Sequence, residues 1–479
     1  SRSANPLRHA RWEKDQHALK LEEFMDQIRV GIVGCGEVTQ IIHLPSLYRL
    51  SDQFTVTAIC DISPTVLEGV GTKWNVAKRY VHYQDLLSDP NVDAVLVANP
   101  HIYHAEVVIA ACGAGKHVLV EKPAALNMPE TDAMQAAQER AGVVVQVGYM
   151  RRYAPAFEQA CHIVAKMQAK RDIRLARVHD VIGHNPQIIE PTSRVIRGKK
   201  DITKEMIAEA KKIEADGVAL AIGKVNKEIQ RAYSLMLGLS SHDISAMREL
   251  LGMPKKVLHA TKRSGGMYLT ATFDYGDFVC QFDTGVDTLP RFDANLEVFG
   301  EKKYVRVQYD TPYVLNLPIR LYVSEAVGKH GVAEQVVHPA WGDAFVAEWE
   351  AFYNNVAKRR TPKTSIADYR QDLEIFHNLG RLPAPFFDTQ VAAMVCGFGE
   401  EVAYDTLVSK LAGTHLDKSS RFTDWGRRPL SEAQIRYALG DVTHLRVIYA
   451  KLAERIEKAG RMSWVEEELA ELLDPALYA

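Results

Sequence analysis

Lys122 offers the clearest chemistry in the chain. It stands in AGKHVLVEKPAAL at the end of a β-branched run, between Glu121 and the rigid Pro123. An ammonium at the carboxyl end of a parallel strand lies where ligands bind in such sheets, and it can hydrogen-bond a substrate oxygen and pass a proton while a hydride moves. The competing reading is a solvated surface lysine. A second candidate is GIVGCGEVTQ, where Gly31, Gly34 and Gly36 follow a strand-like run. Such a turn lets the backbone approach a pyrophosphate, whose charge is met by the next helix N-terminus. Thr39 replaces the third glycine of the usual spacing, so a tight turn without a ligand competes here. Asp61 closes VTAICDIS, placed to accept from a ribose 2'-hydroxyl and to repel a 2'-phosphate, which puts NAD ahead of NADP. Far downstream, Ser431 and Gln434 form a capping box for a helix that carries Tyr437 and Asp441 one turn apart on one face.

These residues need elements to hold them. IRVGIVG, FTVTAIC, DAVLVAN, HVLVEKP and VVVQVGY are short apolar runs that alternate with helix-length segments, which predicts a parallel sheet covered on both faces. Further on, YLTATFDY, DFVCQFDT, NLEVFG, KYVRVQYD and IRLYVSEA are strand-length, period-two segments separated by Gly and Asp turns. Ser365 caps a helix whose apolar face runs Ile366, Tyr369, Leu373, Phe376, with Gly380 and Pro383 ending it.

At 479 residues the chain has room for two or three domains. A net charge of -2 and a pI near 6.8 give no electrostatic reason to expect nucleic acid or an anionic membrane as partner. The six cysteines, Cys35, Cys60, Cys112, Cys161, Cys280 and Cys396, form no C-x-x-C pair and read as thiols of a reducing cytosol. No apolar stretch approaches the roughly 20 residues of a membrane span, and no signal-peptide core is present, so a cytoplasmic protein is expected. Residues 1–24 are polar and mixed in charge; they read as an appendage, with Met25 as the start of the globular unit.

GIVGCG, Asp61, ANPHIYH with His104, GKHVLVEKP and GYMRRYAP together resemble the glucose-fructose oxidoreductase/inositol dehydrogenase (Gfo/Idh/MocA) family over about residues 28–376. The resemblance implies a Rossmann domain over 25–150, then an α+β domain over 151–376 with a large mixed, mainly antiparallel sheet. One face of that sheet would cover the active site and the other would make a dimer or tetramer interface. It implies NAD contacts at Gly34, Gly36, Glu37, Val38, Asp61, Asn99, Pro100, His104, Glu121 and Lys122. In LSSHDISAMRELLG it implies that His242 works with Lys122 on the proton, although the aspartate usually found four residues earlier is Gly238 here. Arg151, Tyr153, His184 and Asp243 are the expected substrate-side residues, with His101 as a further polar candidate, and the substrate is a sugar or polyol. An insertion from about Pro186 to Leu237 is expected to add helices over the substrate side.

LDKSSRFTDW followed by RPLSEAQIRYALGDV resembles the ribonuclease D family of 3'-5' exonucleases, over about residues 370–479. In that family the aspartate at 441 holds a divalent Mg or Mn, the tyrosine at 437 orients water, and a second aspartate matches Asp372. The D-x-E of its first motif is missing, so residues 377–479 are expected to be a partial, mostly helical exonuclease (RNase H-like) segment without metal or nuclease activity. RQDLEIF satisfies both families and is the expected point at which two coding sequences were joined. The alternatives are a nucleic-acid exonuclease or binding protein with an inactive Rossmann domain, and a non-enzymatic NAD-binding regulator.

Overall fold

Apolar strands buried on both faces organise the first half of the protein. The structure, a computed structural model, describes residues 27–378, 389–399, 402, 404–414 and 431–465; residues 1–24 lie outside the described part. The strands β1 (Ile28–Val33), β2 (Phe54–Cys60), β3 (Lys78–Tyr80), β4 (Ala94–Val97), β5 (His117–Glu121) and β6 (Val145–Gly148) form an all-parallel sheet ordered β3-β2-β1-β4-β5-β6. The order reverses between β1 and β4, and a crevice at that reversal is where such sheets bind ligands. Gly34 follows β1 directly, and Asn99 lies two residues beyond β4. Gly34 has φ +93°, and a Cβ on it would lie 2.3 Å from Asn99 N, so no other residue fits the turn. A Cβ on Gly36 would meet nothing within 4 Å, which leaves the loop open on the side where a phosphate would approach. Thr39 stands where a third glycine was expected because its hydroxyl closes the loop, donating to Gly34 O at 2.6 Å.

The second sheet is mixed, in the order β14-β13-β12-β11-β7-β10-β9-β8. Its strands are β7 (Ile173–Gly183), β8 (Lys256–Arg263), β9 (Tyr268–Asp274), β10 (Val279–Asp287), β11 (Phe292–Gly300), β12 (Lys303–Tyr309), β13 (Arg320–Val327) and β14 (Gly331–Val337). Only the β7–β10 pair is parallel. The inner face of this sheet, with Val178, Phe273, Phe282, Leu296 and Val307, shares one apolar core with the helices Pro155–Ala169, Ser241–Leu251 and Ile366–Asn378. The last of these buries the predicted face, Ile366, Tyr369, Leu373 and Phe376, and Ser365 Oγ accepts from Asp368 N at 3.2 Å as its cap.

The inserted helices are Pro186–Thr192, Lys204–Ile222 and Lys227–Leu235. The segment between the first two reaches the glycine loop through Gln40 and Ile196, and helix Lys204–Ile222 presses on the loop after β5. Gly217 is the reason for the second approach, since a Cβ there would come within 2.6 Å of Leu126.

The chain divides into two compact units, Ser1–Gly380 and Arg381–Ala479. The second has its own small core, in which Ile448, Leu452 and Ile456 of helix Glu432–Lys458 form a stripe at four-residue spacing against Ala392, Ala393, Leu407 and Leu411. Ser431 immediately precedes that helix, at the expected cap position. Tyr437 and Asp441 fall within the helix, but their side chains lie outside the described residues. No helix among the described residues is long and apolar enough to cross a membrane.

Candidate active site

Strand β5 delivers Glu121 and Lys122 to the end of the parallel sheet, and the Lys122–Pro123 peptide is cis. Trp349 Nε1 donates to His43 Nδ1 at 3.1 Å, which assigns the remaining ring proton to Nε2, donated to Glu121 Oε1 at 2.9 Å. Burial works against the Glu121 carboxylate, yet His43 and Lys122 hold its pKa below the ordinary value.

Lys122 Nζ donates to the backbone carbonyl of Gly238 at 2.5 Å. This carbonyl lies in the π-helical turn Met236–Ser240 that leads into the helix of His242. The backbone therefore supplies an acceptor at the position where a carboxylate was expected. Burial lowers the pKa of Lys122, with Glu121 opposing and Arg151 adding to the effect. Burial also drives the His242 pKa well below its usual value, and the charges of Lys122 and Arg151 reinforce it. His242 is thus a neutral imidazole; its buried Nδ1 finds no hydrogen-bond partner among the described residues, and its ring meets Tyr149 edge-on at 6.0 Å. A neutral base beside a partly desolvated lysine can accept a proton from a hydroxyl and return it to a carbonyl oxygen.

The other expected substrate-side residues have different surroundings. Arg151 Nη1 donates to Asp180 Oδ2 at 2.9 Å and to Asp243 Oδ1 at 2.6 Å, and its guanidinium lies over the Tyr309 ring at 5.0 Å. Burial and the adjacent Asp180 raise the Asp243 pKa, against the pull of Arg151, which stays charged. This buried cluster fixes the first turn of the His242 helix from beneath. Tyr153 is likewise internal, its hydroxyl bonded to Thr364 Oγ1 at 2.9 Å. His184 is exposed just beyond β7.

At the nucleotide end, Asp61 Oδ2 accepts from Cys35 N and Oδ1 from Ser63 N, both at 2.9 Å, which ties the end of β2 to the glycine loop. His104 spans two backbone carbonyls at 2.8 Å, those of Pro123 and Asn99, and so joins the loops after β4 and β5. Asn99 Oδ1 is buried without a partner among the described residues. That orphaned acceptor, the open Gly36 and the anchored Asp61 together fit a dinucleotide along Gly34, Gly36, Glu37, Val38, Asn99 and Pro100.

Sequence reasoning missed Asp180, Glu214 and the Gly238 carbonyl. Asp180 carries a readable signal: it shares the inward register of β7 with Ala176, Val178 and Ile182, as the one charged residue among them. Glu214, on the inserted helix, faces His101 Nε2 at 3.9 Å. Burial lowers the His101 pKa; Glu214 offsets part of that and Lys122 adds to it. Among the described residues no group of three or more His, Cys, Asp and Glu is placed to hold a metal ion.

Residues 28–149 match the family model described as an oxidoreductase family with an NAD-binding Rossmann fold, and residues 333–457 match that of a 3'-5' exonuclease. Among solved structures, levoglucosan dehydrogenase, in complex with NADH and levoglucosan, superimposes with a TM-score of 0.58 at 16% identity over 74% of this chain and 97% of its own. A 3-ketoreductase from Actinomadura kijaniata, in complex with NADP and TDP-benzene, gives 0.55 at 21% identity over 73% and 95%. Apo scyllo-inositol dehydrogenase from Lactobacillus casei gives 0.54 at 19% over 74% and 95%. At these identities the likeness establishes the fold. Ribonuclease D of Granulibacter bethesdensis is 64% identical over 110 residues, and that of Gluconacetobacter diazotrophicus 63% over 110, in each case 23% of this chain. The chain spans only 28% of the length of these two curated relatives. The N-terminal part of the chain thus matches an oxidoreductase family with an NAD-binding Rossmann fold, and its C-terminal part matches a 3'-5' exonuclease family and is similar to ribonuclease D over 110 residues.

Proposed function

We propose that the protein is an NAD(H)-dependent oxidoreductase that moves a hydride between nicotinamide and a CH–OH or C=O carbon of a sugar-like or polyol substrate, with Lys122 and His242 handling the proton. The observation that carries this reading is the placement of the Lys122 ammonium on the Gly238 carbonyl, one helical turn before the neutral His242. The nicotinamide, when bound, supplies the hydride acceptor or donor. The protein's own part is to orient the substrate oxygen at Lys122, to accept or return its proton, and to keep His242 uncharged through burial and the neighbouring cations. The substrate classes of the structural neighbours support a small polyhydroxylated substrate here. A screen of sugars and polyols followed by NADH absorbance tests the reading; no turnover with any of them, by a protein that binds NADH, would count against it.

Gly238 offers a sharper test of the same site. It is exposed, and a Cβ there meets nothing within 4 Å, so a side chain added at Gly238 starts in open space. In Gly238→Asp, a carboxylate beside Lys122 favours the ammonium and raises its pKa. The expected result is a pH profile of kcat/KM whose lysine limb moves to higher pH by about one unit, with the fold unchanged. An unmoved profile would show that Lys122 does not titrate in the reaction.

A further inference from the structure

The segment that follows the first inserted helix is fastened to the nucleotide loop at several points. Gln40, 3% exposed, exchanges two hydrogen bonds with the backbone of Ile196, both at 2.9 Å, and donates to Cys35 O at 2.8 Å. Arg197 Nε donates to Glu37 Oε1 at 3.0 Å, just beyond Gly36. Gly198 lies so close to Ser63 that a Cβ on it would fall 1.8 Å from Ser63 Oγ. Asp201 Oδ2 then accepts from Ser63 Oγ and, at 3.1 Å, from Thr65 N. Residues 196–201 thus form a strap from the glycine loop to the acid-bearing end of β2. That edge is where the adenosine ribose of a dinucleotide lies.

The two donors that Asp201 takes are of the kind a ribose 2'-phosphate needs: a serine hydroxyl, and a backbone N–H in the first turn of helix Pro64–Lys73. A phosphate placed there would meet the Asp201 carboxylate in addition to that of Asp61. Of the strap's three cations, Arg197 is already engaged by Glu37, while Lys199 and Lys200 are exposed. The strap itself holds Asp201 in place, because Gly198 and Ile196 are seated on Ser63 and Gln40 on its upstream side.

We propose that Asp201 is a cofactor-specificity residue: its carboxylate fills the position that the 2'-phosphate of NADP would take and reserves the site for NAD(H). This rests on the reading of residues 28–149 as a dinucleotide site. The test is the Kd of NADH and of NADPH, by nucleotide fluorescence, for the full chain and for Asp201→Asn and Asp201→Ala. The unsubstituted protein is expected to favour NADH, and each substitution to tighten NADPH by about tenfold, the scale of one like-charge contact, while NADH changes by less than about threefold. NADPH affinity unchanged in both variants, with NADH binding intact, overturns the proposal. Loss of NADH binding in both variants also overturns it, because Asp201 would then be holding the loop itself. If the unsubstituted protein binds neither nucleotide saturably, it is the dinucleotide reading that fails.

Discussion

Lys122→Met is expected to lower kcat by about 10²- to 10⁴-fold, the usual contribution of a positioned proton-transfer group, while the Kd for NADH changes only a few-fold. Methionine keeps most of the length of the side chain and removes the three donors. The loss would fall on the step in which substrate oxygen and proton meet, since the surrounding supports, Glu121 on His43 and Trp349, stay in place. Lys122→Arg separates two explanations of such a loss. Arginine restores a fixed positive charge but cannot give up a proton near neutral pH. If Lys122 only attracted the substrate oxygen, arginine would recover much of the rate; if it passes the proton, arginine remains as impaired as methionine. Single-turnover rates and NADH titrations of both variants decide this, and a kcat within about threefold of the unsubstituted protein in Lys122→Met would end the proposed role.

What could be read from sequence was local. The glycine turn, Asp61 and Lys122 all stand at strand ends, where a few neighbouring residues specify both the turn and its chemistry. The strands β9 to β13 showed themselves by alternation, whereas β8 and β14 have few buried positions and no readable apolar face. The Arg151 cluster was hidden for another reason. Its partners, Asp180 and Asp243, are 29 and 92 residues away and meet it only because β7 runs through the middle of the second sheet while the His242 helix crosses its inner face. Arg151 and Asp243 therefore looked like substrate-side groups, although the fold places them in a buried support. The strap at residues 196–201 was equally invisible, since nothing in R-G-K-K-D announces contact with Gln40 and Ser63.

Asp372 is where the two family resemblances compete, and its surroundings make opposite predictions testable. It is fully buried in the first unit, on a helix whose Tyr369 hydroxyl donates to Ala125 O at 2.5 Å, two residues after Pro123. Arg248 Nε donates to Asp372 Oδ1 at 2.9 Å, and Arg248 Nη2 pairs with Asp368 at 2.6 Å. Arg152 binds Asp368 and Glu249. Lys363 Nζ pairs with Glu249 as well, at 3.4 Å, and of the three acids Asp368, Asp372 and Glu249 it is Asp372 that lies deepest. Burial accordingly pushes its pKa up to about 7, against the pull of Arg248. With the folded pKa above the unfolded value, the native state binds the extra proton. The stabilisation from that proton is complete below about pH 4 and is lost as pH rises through about 7. Urea unfolding from pH 5 to 8 is therefore expected to show stability falling with pH, and Asp372→Asn, which cannot ionise, should flatten that fall. Arg248→Met should instead destabilise the first unit by about 3–5 kcal/mol near neutral pH, because it strips the partner from buried acids. A metal ligand of an exonuclease would behave in the opposite way: Asp372→Asn would leave the pH slope unchanged and abolish a Mg- or Mn-dependent trimming of RNA. The closing helix serves the oxidoreductase core if the slope responds, because only a buried, protonated Asp372 links that helix to the proton balance of folding.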